Sequence, residues 1–135
     1  MASRATILVA EDNEILQRIL RRALEHEGYV VVEATSSAAL FKSLAALTPD
    51  LIVLDVGLPD ADGRDVLDAL KRDPKTARIP VVMWTGQSTD SARRIALEIG
   101  AAAFIEKGPA DSLVSKIERI LLRVSERPPG APQGF

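Results

Sequence analysis

Leu51-Ile52-Val53-Leu54-Asp55-Val56-Gly57-Leu58-Pro59 opens with four consecutive apolar residues and stops abruptly on an acid and a turn. Such a run, placed after Thr48-Pro49-Asp50 and lacking polar alternation, fits a central parallel strand covered on both faces. Asp55 is then the first polar group at the strand's carboxyl end, the edge of an open α/β sheet where ligands and chemistry gather. A turn or helix-cap acid is the plain alternative at that position, because Asp is also a common turn former.

Working upstream, Thr6-Ile7-Leu8-Val9-Ala10 is another apolar run, and it stops on Glu11-Asp12. Asn13 suits an N-cap for a helix whose apolar positions are Ile15, Leu16, Ile19, Leu20, Ala23 and Leu24, with Arg18, Arg21, Arg22 and Glu25 on the other face. Gly28 ends that helix. Tyr29 to Ala34 has strand propensity, and Ser36 opens a helix through Ala39, Leu40, Leu44 and Leu47 that Pro49 closes.

Downstream, the Pro-, Asp- and Gly-rich loop Val56 to Gly63 leads into a short helix with an apolar side of Val66, Leu67 and Leu70, stopped by Asp73-Pro74. Ile79 to Trp84 reads as a strand, with Pro80 tolerable at its start, and it ends on Thr85-Gly86. Asp90 or Ser91 caps a helix through Ala92, Ile95, Ala96 and Ile99, closed by Gly100. Ala103-Phe104-Ile105 is a fifth strand ending on Glu106-Lys107. The last helix, Asp111 to Val124, buries Leu113, Val114, Ile117, Ile120, Leu121 and Val124. Five strands alternating with five helices predict an α/β fold, a doubly wound parallel sheet with helices on both faces.

The chain has 135 residues, the size of one domain, with 47% hydrophobic and 27% charged residues. A formal net charge of −2 offers no basic footprint for nucleic acid or anionic lipid. The absence of cysteine excludes disulfides, thiolate metal sites and cysteine nucleophiles. With neither a signal-peptide core nor an apolar run of membrane-spanning length, the expected location is cytoplasmic. Residues 126–135, rich in Pro and Gly, read as a flexible tail or linker stub after a domain spanning 1–125. His26, between Glu25 and Glu27, reads as a solvated surface residue, and Trp84 as core filling near the fourth helix.

The strand ends carry the chemistry. In a parallel sheet the carboxyl ends share one edge, so Glu11, Asp12, Asp55, Thr85 and Lys107 can converge on one pocket. Clustered carboxylates repel and raise one another's pKa unless a cation sits among them. Magnesium suits the set, because it takes one or two protein carboxylates, keeps waters and leaves positions for phosphate oxygens. An aspartate beside magnesium and lysine is a plausible nucleophile toward phosphorus, giving an aspartyl phosphate.

Glu11-Asp12, Asp55 within Asp-Val-Gly-Leu-Pro-Asp-Ala-Asp-Gly, Thr85-Gly86 and Lys107, in that order and spacing, resemble the receiver domain of two-component response regulators, from about Thr6 to Val124. The resemblance implies a flavodoxin-like (β/α)5 fold with strand order 2-1-3-4-5. It implies that Asp55 is the phosphoacceptor, served by a histidine kinase or a histidine phosphotransfer protein. Asp12 then corresponds to a direct Mg2+ ligand, Glu11 to one acting largely through metal-bound water, and the Gly57 carbonyl to the backbone ligand. Lys107 corresponds to the phosphate-pairing ammonium, Thr85 to the switch hydroxyl, and Phe104 to the aromatic that follows it. Gly57 and Gln87 occupy positions that tune access of the hydrolytic water. Such a domain is a phosphoacceptor with intrinsic autophosphorylation and autodephosphorylation rather than an enzyme. It signals to a downstream protein target or fused effector through the face of its fourth helix, fifth strand and fifth helix. Contact with nucleic acid or membrane is not expected of it.

One departure stands out. The family usually places Pro directly after the lysine, with a cis bond, whereas Gly108 intervenes here before Pro109, so the Lys107-Gly108 bond is expected to be trans. A pseudo-receiver that keeps the fold without phosphorylation is the first rival, supported only by this altered loop. A magnesium-dependent phosphohydrolase of the haloacid dehalogenase class is weaker, since such enzymes want a second Asp where this chain has Gly57.

Overall fold

The computed structural model describes residues 5–86 and 89–125, so Gln87 and the tail expected at 126–135 lie outside the described residues. The elements alternate without exception: β1 (Thr6–Ala10), α1 (Glu14–His26), β2 (Val30–Ala34), α2 (Ser37–Ala46), β3 (Leu51–Leu54), α3 (Gly63–Arg72), β4 (Val81–Thr85), α4 (Asp90–Ile99), β5 (Ala103–Glu106) and α5 (Ala110–Ser125). All strand pairs are parallel and the order is β2-β1-β3-β4-β5.

Strand alternation divides the core into two layers. Leu8, Ala10, Ile52, Leu54, Val81 and Met83 face α2, α3 and α4, whose contributions include Leu40, Leu67 and Ala96. Their neighbours Ile7, Val9, Leu51, Val53, Val82 and Trp84 face α1 and α5, meeting Leu20, Leu24, Leu113 and Ile117. Every residue of β3 is fully buried, as its unalternating run requires for a strand covered on both sides.

Caps fix where the helices begin. Asn13 Oδ1 accepts from the amides of Ile15 and Leu16 at 2.9 and 3.1 Å, and Ser36 Oγ from Ala39 at 3.0 Å. Gly28 and Gly100 take positive φ at the ends of α1 and α4, 91° and 130°.

Several expectations are corrected. Thr89, rather than Asp90 or Ser91, caps α4, its Oγ1 accepting from Ala92 at 3.1 Å. Ile15 and Ile19 are 68% and 49% exposed, because α1 turns Gln17, Leu20 and Leu24 to the sheet instead. Ile95 and Val124 are also exposed, each on the outer side of its helix. Trp84 packs with α1 and α5 rather than near α4, because alternation along β4 sends it to the face opposite Met83. His26 is exposed as expected.

Candidate functional site

The sheet ladder continues one residue past the strands and sets the floor of the site. Glu11 N donates to Ala34 O and Asp55 N to Ala10 O, both at 3.0 Å, which fixes both acids' backbones at the carboxyl edge. Glu11 and Asp55 are buried at 1% and 6% exposure, while Asp12, on the outer lip, is exposed. One carboxylate oxygen of each lies within 4.8 Å of the others, as the strand-end reading requires.

Lys107, beyond β5, reaches across to them. Its Nζ stands 2.5 Å from Glu11 Oε1 and 3.1 Å from Asp55 Oδ2. The Asn13 amide donates to Glu11 Oε2 at 3.0 Å, and the Gly57 amide to Asp55 Oδ1 at 3.2 Å. Burial pushes the Glu11 carboxyl above its ordinary range; the Lys107 and Asn13 contacts oppose this, and the Asp55 charge adds to it. Burial alone would lower Lys107, but the Glu11 and Asp55 carboxylates raise it on balance. Three carboxylates thus face one ammonium, an acidic surplus that a second cation would relieve. The donors are all oxygen, so a hard divalent ion such as Mg2+ fits the set.

Thr85 is buried at the end of β4, and its carbonyl accepts from Lys107 N at 2.7 Å, so the hydroxyl-bearing residue and the lysine share one ladder. Phe104 is buried on β5, in the layer that α4 covers. Gly57 is exposed, and a Cβ built there meets nothing within 4 Å. The chain from Lys107 to Pro109 runs without a cis bond, as expected for Lys107-Gly108. The site therefore brings together Glu11, Asp12, Asp55, Lys107 and the backbone of Thr85.

Four supporting residues were missed in the sequence. Gln17, 4% exposed, donates from Nε2 toward Val9 O, Glu11 O and Ala34 O at 2.9, 3.1 and 3.2 Å, joining the ends of β1 and β2 under the acids. A lone Gln on an amphipathic helix gives no sequence sign of this. Gly63 passes against the backbone of Asp55: a Cβ there would overlap Asp55 O and stand 2.6 Å from Val56 Cα. Asp62 caps α3 through Arg64 N at 2.8 Å and pairs with Gly57 across the loop.

The fourth is Asp60, whose carboxylate takes the Ser37 amide at 2.8 Å, the Ala38 amide at 3.0 Å and the Ser37 hydroxyl at 2.9 Å, clamping the loop after Asp55 to the start of α2. These backbone donors lower its pKa below 3.8. A carboxylate with a depressed folded-state pKa contributes stability that is present above its unfolded value and lost as pH falls through the folded value. In acid titrations followed by circular dichroism, Asp60→Asn is therefore expected to lose less stability than the wild type as pH falls below 3.8. Identical acid limbs would show that the clamp contributes nothing.

The family model for the response regulator receiver domain matches residues 7–118. The phosphate regulon transcriptional regulatory protein PhoB of Pseudomonas aeruginosa is 33% identical over 129 residues, covering 94% of this chain and 56% of its own length. The chain spans about half the length of the curated relatives it matches. Among solved structures, the signal receiver domain of a histidine kinase from Syntrophus aciditrophicus is 31% identical with a TM-score of 0.81, covering 97% of this chain and 99% of that one. A CheY-like response regulator receiver domain protein from Methanospirillum hungatei JF-1 gives 25% identity and a TM-score of 0.85, covering 92% and 98%.

Proposed function

This chain belongs to the response regulator receiver domain family, and from that premise we propose that it accepts a phosphoryl group on Asp55 from a phosphohistidine of a partner kinase or phosphotransfer protein. The observation that carries the reading is the convergence of Glu11, Asp12 and Asp55 within 4.8 Å under one ammonium.

Glu11, Asp12, Asp55 and the Gly57 carbonyl are the groups that would hold Mg2+. The ion, when bound, supplies positive charge against the phosphoryl oxygens. The chain's own groups do the rest. An oxygen of Asp55 forms the new P–O bond as the P–N bond to the donor histidine breaks, and the imidazole leaves with that electron pair. Lys107, already 3.1 Å from Asp55 Oδ2, moves with little displacement onto a phosphate oxygen. The aspartyl phosphate adds about 1.5 to 2 negative charges and three acceptor oxygens. Thr85 is the hydroxyl that answers them, and Phe104 follows it, shifting a two-state equilibrium toward the signalling form.

The output face is the groove among α4, β5 and α5, a cavity of about 350 Å³ lined by Arg93, Leu97, Phe104, Ile105, Lys116 and Arg119. Its mix of cationic and apolar groups suits a protein target or a fused effector. The reading places the chain in the cytoplasm, with neither nucleic acid nor lipid bound by this domain.

The test is incubation with Mg2+ and a small acyl-phosphate donor, followed by intact mass. Wild type is expected to gain one phosphate; none would favour a pseudo-receiver. The open space beside Gly57 leaves water a path to the phosphorus. Attack by that water breaks the acyl-phosphate P–O bond and regenerates the carboxylate. The adduct is therefore expected to decay without an added phosphatase. Persistence for days in magnesium buffer would contradict this.

A further inference from the structure

Trp84 is the one tryptophan of the chain, and the proposed phosphoryl transfer gives it no task. It is 2% exposed at the penultimate position of β4, and Lys107 Nζ lies over its ring, 5.5 Å from the centroid. That separation lies within reach of a cation–π attraction, for which indole is the strongest aromatic partner. Lys107 stands on a chain segment that does little to aim it. Gly108 follows directly, with nothing within 4 Å of a Cβ built there, and glycine is the least restricted residue. The main-chain anchor is the Lys107 N bond to Thr85 O, which holds the start of the side chain but not its end. At that end the ammonium meets Glu11 and Asp55 on one hand and the indole on the other.

Resting on the receiver reading, we propose that Trp84 is a positioning residue for Lys107: its indole face holds the ammonium at the mouth of the acidic pocket, where the loop through Gly108 leaves it free to swing. The carboxylates attract the ammonium from several directions, and a metal ion would compete for them. The ring adds a directional restraint that neither the metal nor the phosphate displaces. A core-filling tryptophan would do none of this, since a leucine of the same layer would serve.

The experiment compares wild type, Trp84→Phe, Trp84→Leu, Lys107→Met and the Trp84→Leu/Lys107→Met double variant. The first readout is the NMR signal of the Lys107 ε-methylene, which requires no phosphorylation. In wild type its two protons are expected to be inequivalent, as on a side chain held in one orientation; in Trp84→Leu the inequivalence is expected to shrink, because the Glu11 and Asp55 carboxylates alone leave the ammonium more freedom. Retention of the wild-type pattern in Trp84→Leu overturns the proposal. The second readout is the initial rate of phosphate uptake from a small acyl-phosphate donor with Mg2+. Trp84→Leu is expected to slow it about three- to ten-fold, the range a cation–π contact can supply, and Trp84→Phe to recover part of that.

In the Lys107→Met background the same leucine substitution should cost nothing further; an equal penalty in both backgrounds marks a purely structural role and overturns the proposal. If Trp84→Leu does not fold, Lys107→Met still decides, because loss of the ammonium must shift the emission of Trp84, and unchanged emission refutes the contact. A wild type that takes no phosphate but shows the inequivalent methylene overturns the phosphoacceptor reading and upholds the positioning of Lys107.

Discussion

Asp55→Asn is expected to abolish phosphate uptake, lowering the initial rate by about a hundred-fold or more, because it removes the one nucleophilic carboxylate at the end of β3. The substitution keeps the shape of the side chain, and its oxygen can still accept the Gly57 amide that Asp55 Oδ1 now takes. What is lost is the charge that attacks phosphorus in the proposed transfer, and the charge-assisted contact with Lys107 at 3.1 Å. The fold should tolerate this well, since one of three repelling carboxylates disappears. Intact mass and peptide mapping after incubation with the phosphodonor read the result. Phosphate retained on the Asn variant, or mapped to Glu11 or Asp12, would overturn the assignment of the acceptor.

Gly63→Ala should be as damaging to stability as Asp55→Asn is to chemistry, costing about 3 kcal/mol or more. The new methyl group would run into the Asp55 carbonyl and into Val56 Cα at 2.6 Å, both backbone, which cannot rotate away. The Gly63 amide is also fastened to Val56 O at 2.7 Å, so the helix start cannot simply move off. Urea denaturation measures the loss, and phosphate uptake should fall with it because Asp55 itself is displaced. Gly57→Ala is the control: its Cβ meets nothing within 4 Å, so its stability should stay near wild type. Equal stabilities for the two alanine variants would show that the close approach at Gly63 is not felt.

What the sequence disclosed follows from which interactions are local. Unbroken apolar runs such as Leu51–Leu54 reveal buried parallel strands, and the first polar residue after each run marks the edge, so Glu11, Asp12, Asp55 and Thr85 were all legible. Caps within a few residues of a helix start, such as Asn13 and Ser36, were legible for the same reason. Interactions between distant segments were not. Gln17 faces the sheet because carbonyls at the ends of two strands need its amide, and this displaces Ile15 and Ile19 outward against the apolar pattern. Asp60 finds its partners 22 and 23 residues upstream, and the need for glycine at position 63 arises from a neighbouring backbone that no periodicity encodes. Trp84 lies on the side opposite to the one expected, because a fully apolar strand such as β4 does not announce which alternate residues face which layer.

The strand order has a consequence for how the chain assembles. The acids arrive at the ends of β1 and β3, which are neighbours in the sheet, while the lysine that offsets part of their charge follows β5 at the far edge, 52 residues beyond Asp55. A partly folded chain that has paired β1 with β3 but not yet docked β5 therefore brings carboxylates together with no counter-charge. Docking of β5 thus relieves a repulsion that the pairing of β1 with β3 creates, and the pocket itself penalises a half-built sheet that lacks β5, making folding more nearly all-or-none.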